Sequence, residues 1–142
     1  MTISIIDPHS PQYQQVWELR EAVLRKPLGR SLKNEDLSRD LTDTIFGAEE
    51  QDTVVGCVIL HHTPEGHAQL RAMAVYDHLQ GKGVGAALVK AFEQHAKEKG
   101  YSKIILHARA YALGFYQKLG YTAYGDEFTE VGIPHYMMEK EL

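Results

Sequence analysis

The spacing of apolar residues over the first thirty positions predicts a strand followed by a helix. Residues 2–7, "TISIID", are a short strand candidate that is ended by Asp7-Pro8. Residues 11–29 show helical periodicity that stops at a proline and a glycine, and their apolar positions are Val16, Leu19, Val23 and Leu24. The first unit of the fold is therefore predicted to be β-α.

The next segment, residues 32–41, is polar and only weakly helical. Its three leucines, Leu32, Leu37 and Leu41, could contact a core or line the mouth of a substrate site. Both roles stay open at the level of the sequence.

Three strands and a long helix are predicted for the middle of the chain. The strand patterns cover residues 44–50, 52–62 and 67–76, and the short turn-forming segments between them favour an antiparallel meander. From Val84 the period changes to that of a helix, which Gly100 ends, and its apolar stripe comprises Val84, Ala87, Leu88, Ala91, Phe92, His95 and Ala96.

The last forty residues predict a strand at 103–108, a short helix at 111–120 and two extended segments at 121–125 and 134–140. The summed order is β-α-(α)-β-β-β-α-β-α-β-β. With 142 residues, 44% hydrophobic content and no linker or repeat, we expect one domain spanning residues 1–142.

Charge and composition exclude several classes of partner. The net charge of −4, with no basic stripe, makes nucleic acid an unexpected partner, and no apolar run approaches the roughly 20 residues that span a bilayer. The first residues lack the features of a targeting segment, so we expect no membrane association and a cytoplasmic location. The single cysteine, Cys57, lies in an apolar strand and is interpreted as a buried residue rather than a catalytic thiol.

The stretch from Gln80 to Ala86 is a glycine-rich turn between a predicted strand and the start of the long helix. Free backbone N–H groups and the helix dipole make such a turn a binding site for phosphate, and Lys82 could add a positive charge. A P-loop would need a hydroxyl residue where Gly83 stands. The turn formally fits a dinucleotide-binding fingerprint, but the next strand runs into Arg109 where that fold expects an acid.

The segment Gln80-Gly81-Lys82-Gly83-Val84-Gly85 instead resembles the Q/R-x-x-G-x-G/A motif of the Gcn5-related N-acetyltransferase (GNAT) superfamily. Two further stretches resemble the same family: residues 70–75, "LRAMAV", its fourth strand, and residues 108–121, "ARAYALGFYQKLGY", its N-x-x-A-x-x-F-Y-x-K-x-G-F stretch. Residues 128–140 resemble the ends of some small bacterial members. The resemblance covers nearly the whole chain, because the predicted order of elements also agrees.

This resemblance implies an α/β (α+β) fold with a mixed, mostly antiparallel sheet of about six to seven strands, splayed between the fourth and fifth and flanked by about four helices. It also implies acetyl-CoA as co-substrate, with its pyrophosphate on the amides of the glycine turn and its pantetheine arm along the fourth strand. The residues that it assigns to the cofactor are Met73, Ala74, Val75, Gln80, Gly81, Lys82, Gly83, Val84, Gly85, Ala86 and Arg109. Arg109 stands where relatives often have asparagine, so it could instead reach a CoA phosphate or a substrate carboxylate.

The resemblance further implies direct attack of an amine on the thioester, with Tyr116 donating a proton to the departing thiolate. Gln69 stands where some relatives carry a glutamate that serves as the base. His135 is the first choice of replacement, because it starts a strand that in this family's fold can border the acceptor site, and His107 and Glu130 are the alternatives. A neutral imidazole is a suitable base at pH 7.

No metal is implied, and the histidines of "HHTPEGH" (residues 61–67) are interpreted as a hairpin tip rather than a metal site. The expected activity is acetyl transfer to a primary amine of a small molecule. Acetylation of a protein lysine or N-terminus is the alternative within the family, and a non-catalytic acyl-CoA-binding module is the alternative outside catalysis. A homodimer is left open.

Overall fold

The chain folds into seven strands and three α-helices, and the computed structural model describes residues 1–142. The helices are α1 (Pro11–Arg20), α2 (Val84–Glu98) and α3 (Leu113–Lys118). The strands are β1 (Thr2–Ile6), β2 (Thr44–Glu50), β3 (Thr53–His62), β4 (Ala68–Val75), β5 (Lys103–Arg109), β6 (Thr122–Glu130) and β7 (Ile133–Glu141).

All seven strands form one sheet in the order β1-β2-β3-β4-β5-β7-β6. Every neighbouring pair is antiparallel except β4 and β5, which are parallel. These two strands pair only where Ala68–Leu70 lies beside Ile104–Leu106, whereas β4 continues to Val75 and β5 to Arg109. The predicted fold class and the antiparallel meander are therefore confirmed, and the sheet opens between its fourth and fifth strands.

Two hydrophobic clusters cover the two faces of this sheet, as the alternation of side chains along β3 shows. Val55, Val58 and Leu60 pack with α2 through Leu88 and Phe92. Three other residues of β3 belong to the cluster that contains Val16 and Leu19 of α1: Val54, Cys57 and Ile59. The helices α1 and α2 thus lie on opposite faces, and Cys57 is buried as predicted.

The predicted helix at residues 11–29 is shorter than its pattern suggested. It starts with Pro11 in the first turn, and its α-helical part ends at Arg20. The chain then widens into a π-helical turn (Glu21–Arg25) and tightens into a 3₁₀ turn (Lys26–Leu28), which is followed by Gly29 with a left-handed φ of 68°. This irregular end lies beside β4, at the opening in the sheet.

The polar segment at 32–41 forms two 3₁₀ turns, Leu32–Asn34 and Ser38–Leu41, so the chain has three α-helices rather than about four. A buried leucine and a buried aspartate, Leu32 and Asp40, hold this segment against the protein, whereas Leu41 is exposed. None of the helices has the length and apolar character needed to cross a membrane.

A bulge interrupts β4 where the sheet begins to open. The register with β3 shifts by one residue between Cys57 and Ile59, and Ala72 adopts a φ of 54° on the opposite strand. Leu70 and Val75 both pack in the α2-side cluster although they are five positions apart, an odd offset that would place them on opposite faces of a regular strand. The extra residue therefore resets the alternation of side chains along β4.

Candidate functional site

A cleft of about 850 Å³ lies where β4 and β5 diverge. Its walls come from the end of the first helical segment, β4, the glycine turn, β5, α3 and the loop between β6 and β7. Because the paired part of β4 and β5 ends at Leu70 and Leu106, backbone and side chains beyond these residues are free to line the opening. Every catalytic candidate from the sequence lines this cleft.

The glycine turn presents unpaired backbone donors at the start of α2. Gly81 and Gly83 have φ values of 80° and 84°, a conformation that strongly favours glycine, and Gly83 caps the helix. The first helical bond is donated by the Ala87 amide, and the amides of Gly81 and of residues 83–86 have no acceptor within the protein. Together with the helix dipole, these donors suit an anion such as pyrophosphate.

The cofactor residues predicted from the sequence divide into two groups. Nine of them line the cleft: Met73, Ala74, Val75, Gln80, Gly81, Gly83, Gly85, Ala86 and Arg109. The other two, Lys82 and Val84, do not line it; the Lys82 amide closes the turn on the Leu79 carbonyl, and the Val84 side chain is buried in the core. Only the backbone amide of Val84 is therefore available to a ligand.

Two contacts fix the position of the turn. The side-chain amide of Gln80 donates through Nε2 to the Val75 carbonyl at 3.1 Å, and this hydrogen bond holds the turn against the end of β4. A side chain at Gly85 would place its Cβ 3.2 Å from the Phe115 ring, so this glycine permits the close approach of α2 to α3. The sequence motif thus supplies positioning contacts as well as donors.

Tyr116 lies on α3 and is 5% exposed, yet it lines the cleft. Burial, with a smaller contribution from the nearby Tyr111, raises the pKa of the Tyr116 phenol above its ordinary value. The phenol therefore stays protonated over the whole physiological range. Tyr121, in contrast, is buried and donates to the Glu93 carboxylate at 2.8 Å.

The three candidates for the base meet at one point of the cleft. Glu130 accepts from His107 Nδ1 at 3.0 Å, and its second oxygen lies 3.5 Å from His135 Nε2. Since β7 pairs directly with β5, His135 stands opposite Arg109 and near His107. The ring of Phe128 lies against both imidazoles, with centroid separations of 5.3 and 5.8 Å.

The hydrogen bonds of this group define its protonation. The Ile133 carbonyl, 3.0 Å from His135 Nδ1, can only accept, so Nδ1 carries a proton and Nε2 is the basic nitrogen of the neutral ring. The hydrogen bond from His107 is the main cause that lowers the pKa of Glu130, and the charges of the two histidines lower it further. Glu130 is therefore ionised at neutral pH.

Arg109 has partners other than the glycine turn. Its Nη2 donates to the Leu24 carbonyl at 2.9 Å, and its Nη1 lies 3.4 Å from the Tyr111 hydroxyl. The first contact joins β5 to the π-helical turn after α1. Arg109 thus closes one side of the cleft, and its guanidinium lies on the sheet face that carries α1.

A buried ion-pair network on the same face was not found from the sequence. Asp40 accepts from Arg20 at 2.6 Å, from Arg71 at 2.8 Å and from the hydroxyl of Tyr13. Arg71 also donates to Asp43 at 3.0 Å. One signal was available: Arg20 follows Val16 at i+4 on the buried side of α1, where an apolar residue is the usual choice.

The histidines of the predicted hairpin tip have separate surroundings. His61 lies 2.9 Å from an Asp43 oxygen, and His62 lies 2.7 Å from the Tyr101 hydroxyl. His67 Nδ1 is buried without a partner. Nowhere do three or more histidine, cysteine or acidic side chains converge in a way that could hold a metal ion.

Comparison with known proteins agrees with the geometry. A family model described as an acetyltransferase (GNAT) domain matches residues 10–142. The acetyltransferase candidate BSU40680 of Bacillus subtilis is 34% identical over 134 residues, which cover 88% of this chain and 86% of that protein. YyaT, also from Bacillus subtilis, is 42% identical over 78 residues, and the match spans only about half of each chain (54% and 53%).

The fold is also found among solved structures. An aminoglycoside 6'-N-acetyltransferase in complex with coenzyme A superposes with a TM-score of 0.83 at 18% identity. The superposition covers 99% of this chain and 97% of that one. At this identity the similarity concerns the fold.

Proposed function

Because the chain belongs to the GNAT acetyltransferase family, we propose that it is an N-acetyltransferase that moves the acetyl group of acetyl-CoA directly to a primary amine of a small molecule. The glycine turn carries this proposal, since its unpaired amides and the buried Tyr116 line one cleft between β4 and β5. A donor site for a phosphate group and a buried acid in a single cleft are what acyl transfer from a CoA thioester requires.

The residues of the turn fit the co-substrate. The amides of residues 83–86 would hold the pyrophosphate, and the Cβ positions of Gly81 and Gly83 face open space, so the backbone is accessible. The pantetheine arm would follow Met73, Ala74 and Val75, beyond the point where β5 ceases to pair with β4. When bound, acetyl-CoA supplies the acetyl group as an activated thioester.

Proton transfers are assigned to residues on both sides of the cleft. The amine nitrogen forms a bond to the acetyl carbon as the carbon–sulfur bond breaks, and it loses its proton to His135 Nε2. The ionised Glu130, 3.5 Å from that nitrogen, stabilises the imidazolium that forms. Tyr116 donates its proton to the departing sulfur, for which its raised pKa keeps it protonated.

A titration and an assay test the proposal. Calorimetry should show micromolar binding of acetyl-CoA, with NAD as a negative control, and a panel of amines should cause release of CoA thiol. In a Tyr116→Phe variant we expect kcat to fall roughly 100-fold, the usual range for loss of a general acid, with little change in acetyl-CoA affinity. Tyr124→Phe is the matched control, because Tyr124 is exposed and lies outside the cleft.

Two outcomes would contradict the proposal at different levels. Absence of acetyl-CoA binding would remove the role of the glycine turn, whereas unchanged turnover in Tyr116→Phe would remove only the acid. Binding without thiol release on any small amine would favour the protein acceptor or the non-catalytic module, which a lysine peptide in the same assay separates. A cytoplasmic location and a homodimer stay predictions.

A further inference from the structure

Arginine and lysine residues are distributed differently between the cleft and the rest of the surface. Five of the six arginines line the cleft, and none of the nine lysines does. The only acidic residue in the lining is Glu130, although the chain as a whole carries a net charge of −4. A guanidinium binds carboxylate and phosphate groups with two parallel hydrogen bonds, which an ammonium group cannot do.

The arginines that line the cleft are not all neutralised by protein carboxylates. Arg20 and Arg71 are both paired with Asp40, Arg71 is paired with Asp43 as well, and Arg25 is paired with Glu35. Arg39 forms no ion pair, and Arg109 binds only a carbonyl and a hydroxyl oxygen. The buried Nε of Arg20 has no hydrogen-bond partner.

These side chains lie at the α1 end of the cleft, away from the glycine turn. Arg71 on β4 is held there by Asp40, which itself binds Arg20 of α1. Arg39 precedes Asp40 in the same 3₁₀ turn, and Arg109 contacts Leu24 just beyond α1. The glycine turn lies at the start of α2, on the face of the sheet opposite to α1. The arginines are therefore not placed to hold the cofactor pyrophosphate.

We propose that the acceptor is an amine that also carries an anionic group, a carboxylate or a phosphate, bound at the α1 end of the cleft by Arg39 together with the free edges of Arg20 and Arg71. This inference rests on the proposed acetyltransferase activity and narrows its substrate class. Acceptors with several positive charges are disfavoured by repulsion.

The test compares amines that differ only in the charge of the far end. Three four-carbon probes, 4-aminobutyrate, butylamine and 1,4-diaminobutane, carry a negative, a neutral and a positive group at the end opposite the reacting amine. A second comparison, of O-phosphoethanolamine with ethanolamine, tests the effect of a phosphate group. Thiol release gives kcat/KM for each probe. Calorimetry on the CoA-saturated protein gives affinities that do not depend on turnover.

We expect kcat/KM or affinity to be roughly 10- to 100-fold higher for the anionic probes than for their neutral partners, which is the effect of a charge-assisted hydrogen bond. Comparison of the carboxylate probe with the phosphate probe shows which anion the site prefers. Arg39→Gln should remove most of this preference by raising KM for the anionic probe, with the acetyl-CoA affinity unchanged. Lys33→Gln is the matched control, since it removes the same charge from an exposed residue of the same segment outside the cleft.

The opposing results are distinct. Acetyl-CoA turnover on neutral or cationic amines at equal or higher kcat/KM would overturn the inference and leave the proposed function intact. Equal loss of preference in Arg39→Gln and Lys33→Gln would show a general effect of charge and overturn the assignment to Arg39. If acetyl-CoA does not bind, the proposed function fails and the inference fails with it.

Discussion

Replacement of Asp40 by asparagine tests whether the buried network organises the α1 end of the cleft. Asp40 is 1% exposed and accepts from Tyr13, Arg20 and Arg71. Asparagine has nearly the same volume and retains one acceptor oxygen, so the change removes charge rather than packing. Arg71 keeps Asp43 as a partner, but Arg20, which is 3% exposed, has no other carboxylate.

The expected loss of stability follows from the buried charge of Arg20, which the substitution leaves without a carboxylate partner. Removal of one member of a buried ion pair costs about 3–5 kcal/mol, and we expect about 3 kcal/mol of unfolding free energy because the introduced asparagine can still accept one hydrogen bond. For a domain of this size the loss corresponds to a decrease in Tm of about 10 °C. Glu35→Gln breaks the Arg25 pair at a far more exposed site and should cost less than about 1 kcal/mol.

Urea unfolding followed by circular dichroism measures both variants against the wild type. Asp40→Asn should lower the midpoint with an unchanged slope, and Glu35→Gln should shift it little. A loss below about 1 kcal/mol for Asp40→Asn, or equal losses in the two variants, would refute the assignment of Asp40 as the anchor of Arg20.

The same network predicts how stability depends on pH. Burial alone would raise the pKa of Asp40, but the hydrogen bond from Tyr13 and the charge of Arg20, with hydrogen bonds from both arginines, outweigh it and hold the pKa below its usual range. The contribution of the ionised carboxylate is therefore complete above the unfolded-state pKa of about 3.9 and is lost as pH falls through the lower, folded-state value. The difference between wild type and Asp40→Asn should be constant from about pH 8 to 5 and should narrow only in stronger acid.

Three further predictions concern the cleft and its surroundings. Gly83→Ala forces a side chain into a φ of 84° and should weaken acetyl-CoA binding about 10-fold by calorimetry, whereas Gly114→Ala, on α3, should not. Glu130→Gln should lower kcat at least about 10-fold. In the wild type the lowered pKa of Glu130 keeps the carboxylate ionised, so the fall in rate caused by its protonation should appear only at pH values below the ordinary pKa of glutamate. Burial raises the pKa of Cys57 to about 12, so this thiol should react with a disulfide reagent only after denaturation, and fast labelling of the folded protein would contradict its burial.

Local sequence patterns were sufficient for most of the fold and for the glycine turn that lines one side of the cleft. The stripe of α2 and the alternation in β3 depend on neighbouring residues, so they are visible without knowledge of the tertiary structure. The glycine turn is equally local, since Gly81 and Gly83 are required by their own backbone conformation. Tyr116 was identified through its position in a motif rather than through any pattern of burial.

The α1 end of the cleft depends on contacts between distant segments, and the sequence could not reveal it. Arg20 and Asp40 are separated by 20 positions and a succession of irregular turns, for which no periodicity exists. The meeting of His107, Glu130 and His135 requires β7 to enter the sheet between β5 and β6. That insertion is a property of topology, so the sequence could name the three candidates but could not bring them together.

The bulge at Ala72 explains how one strand serves both sides of the cleft. In a regular strand Arg71 and Met73 would point to the same face, because side chains alternate with a period of two. The extra residue separates them: Arg71 binds Asp40 on the α1 side, whereas Met73 packs against the α2-side cluster that contains Tyr116. The proposed acceptor and co-substrate would thus approach the same opening from opposite faces of the sheet, with the extended backbone of β4 between them.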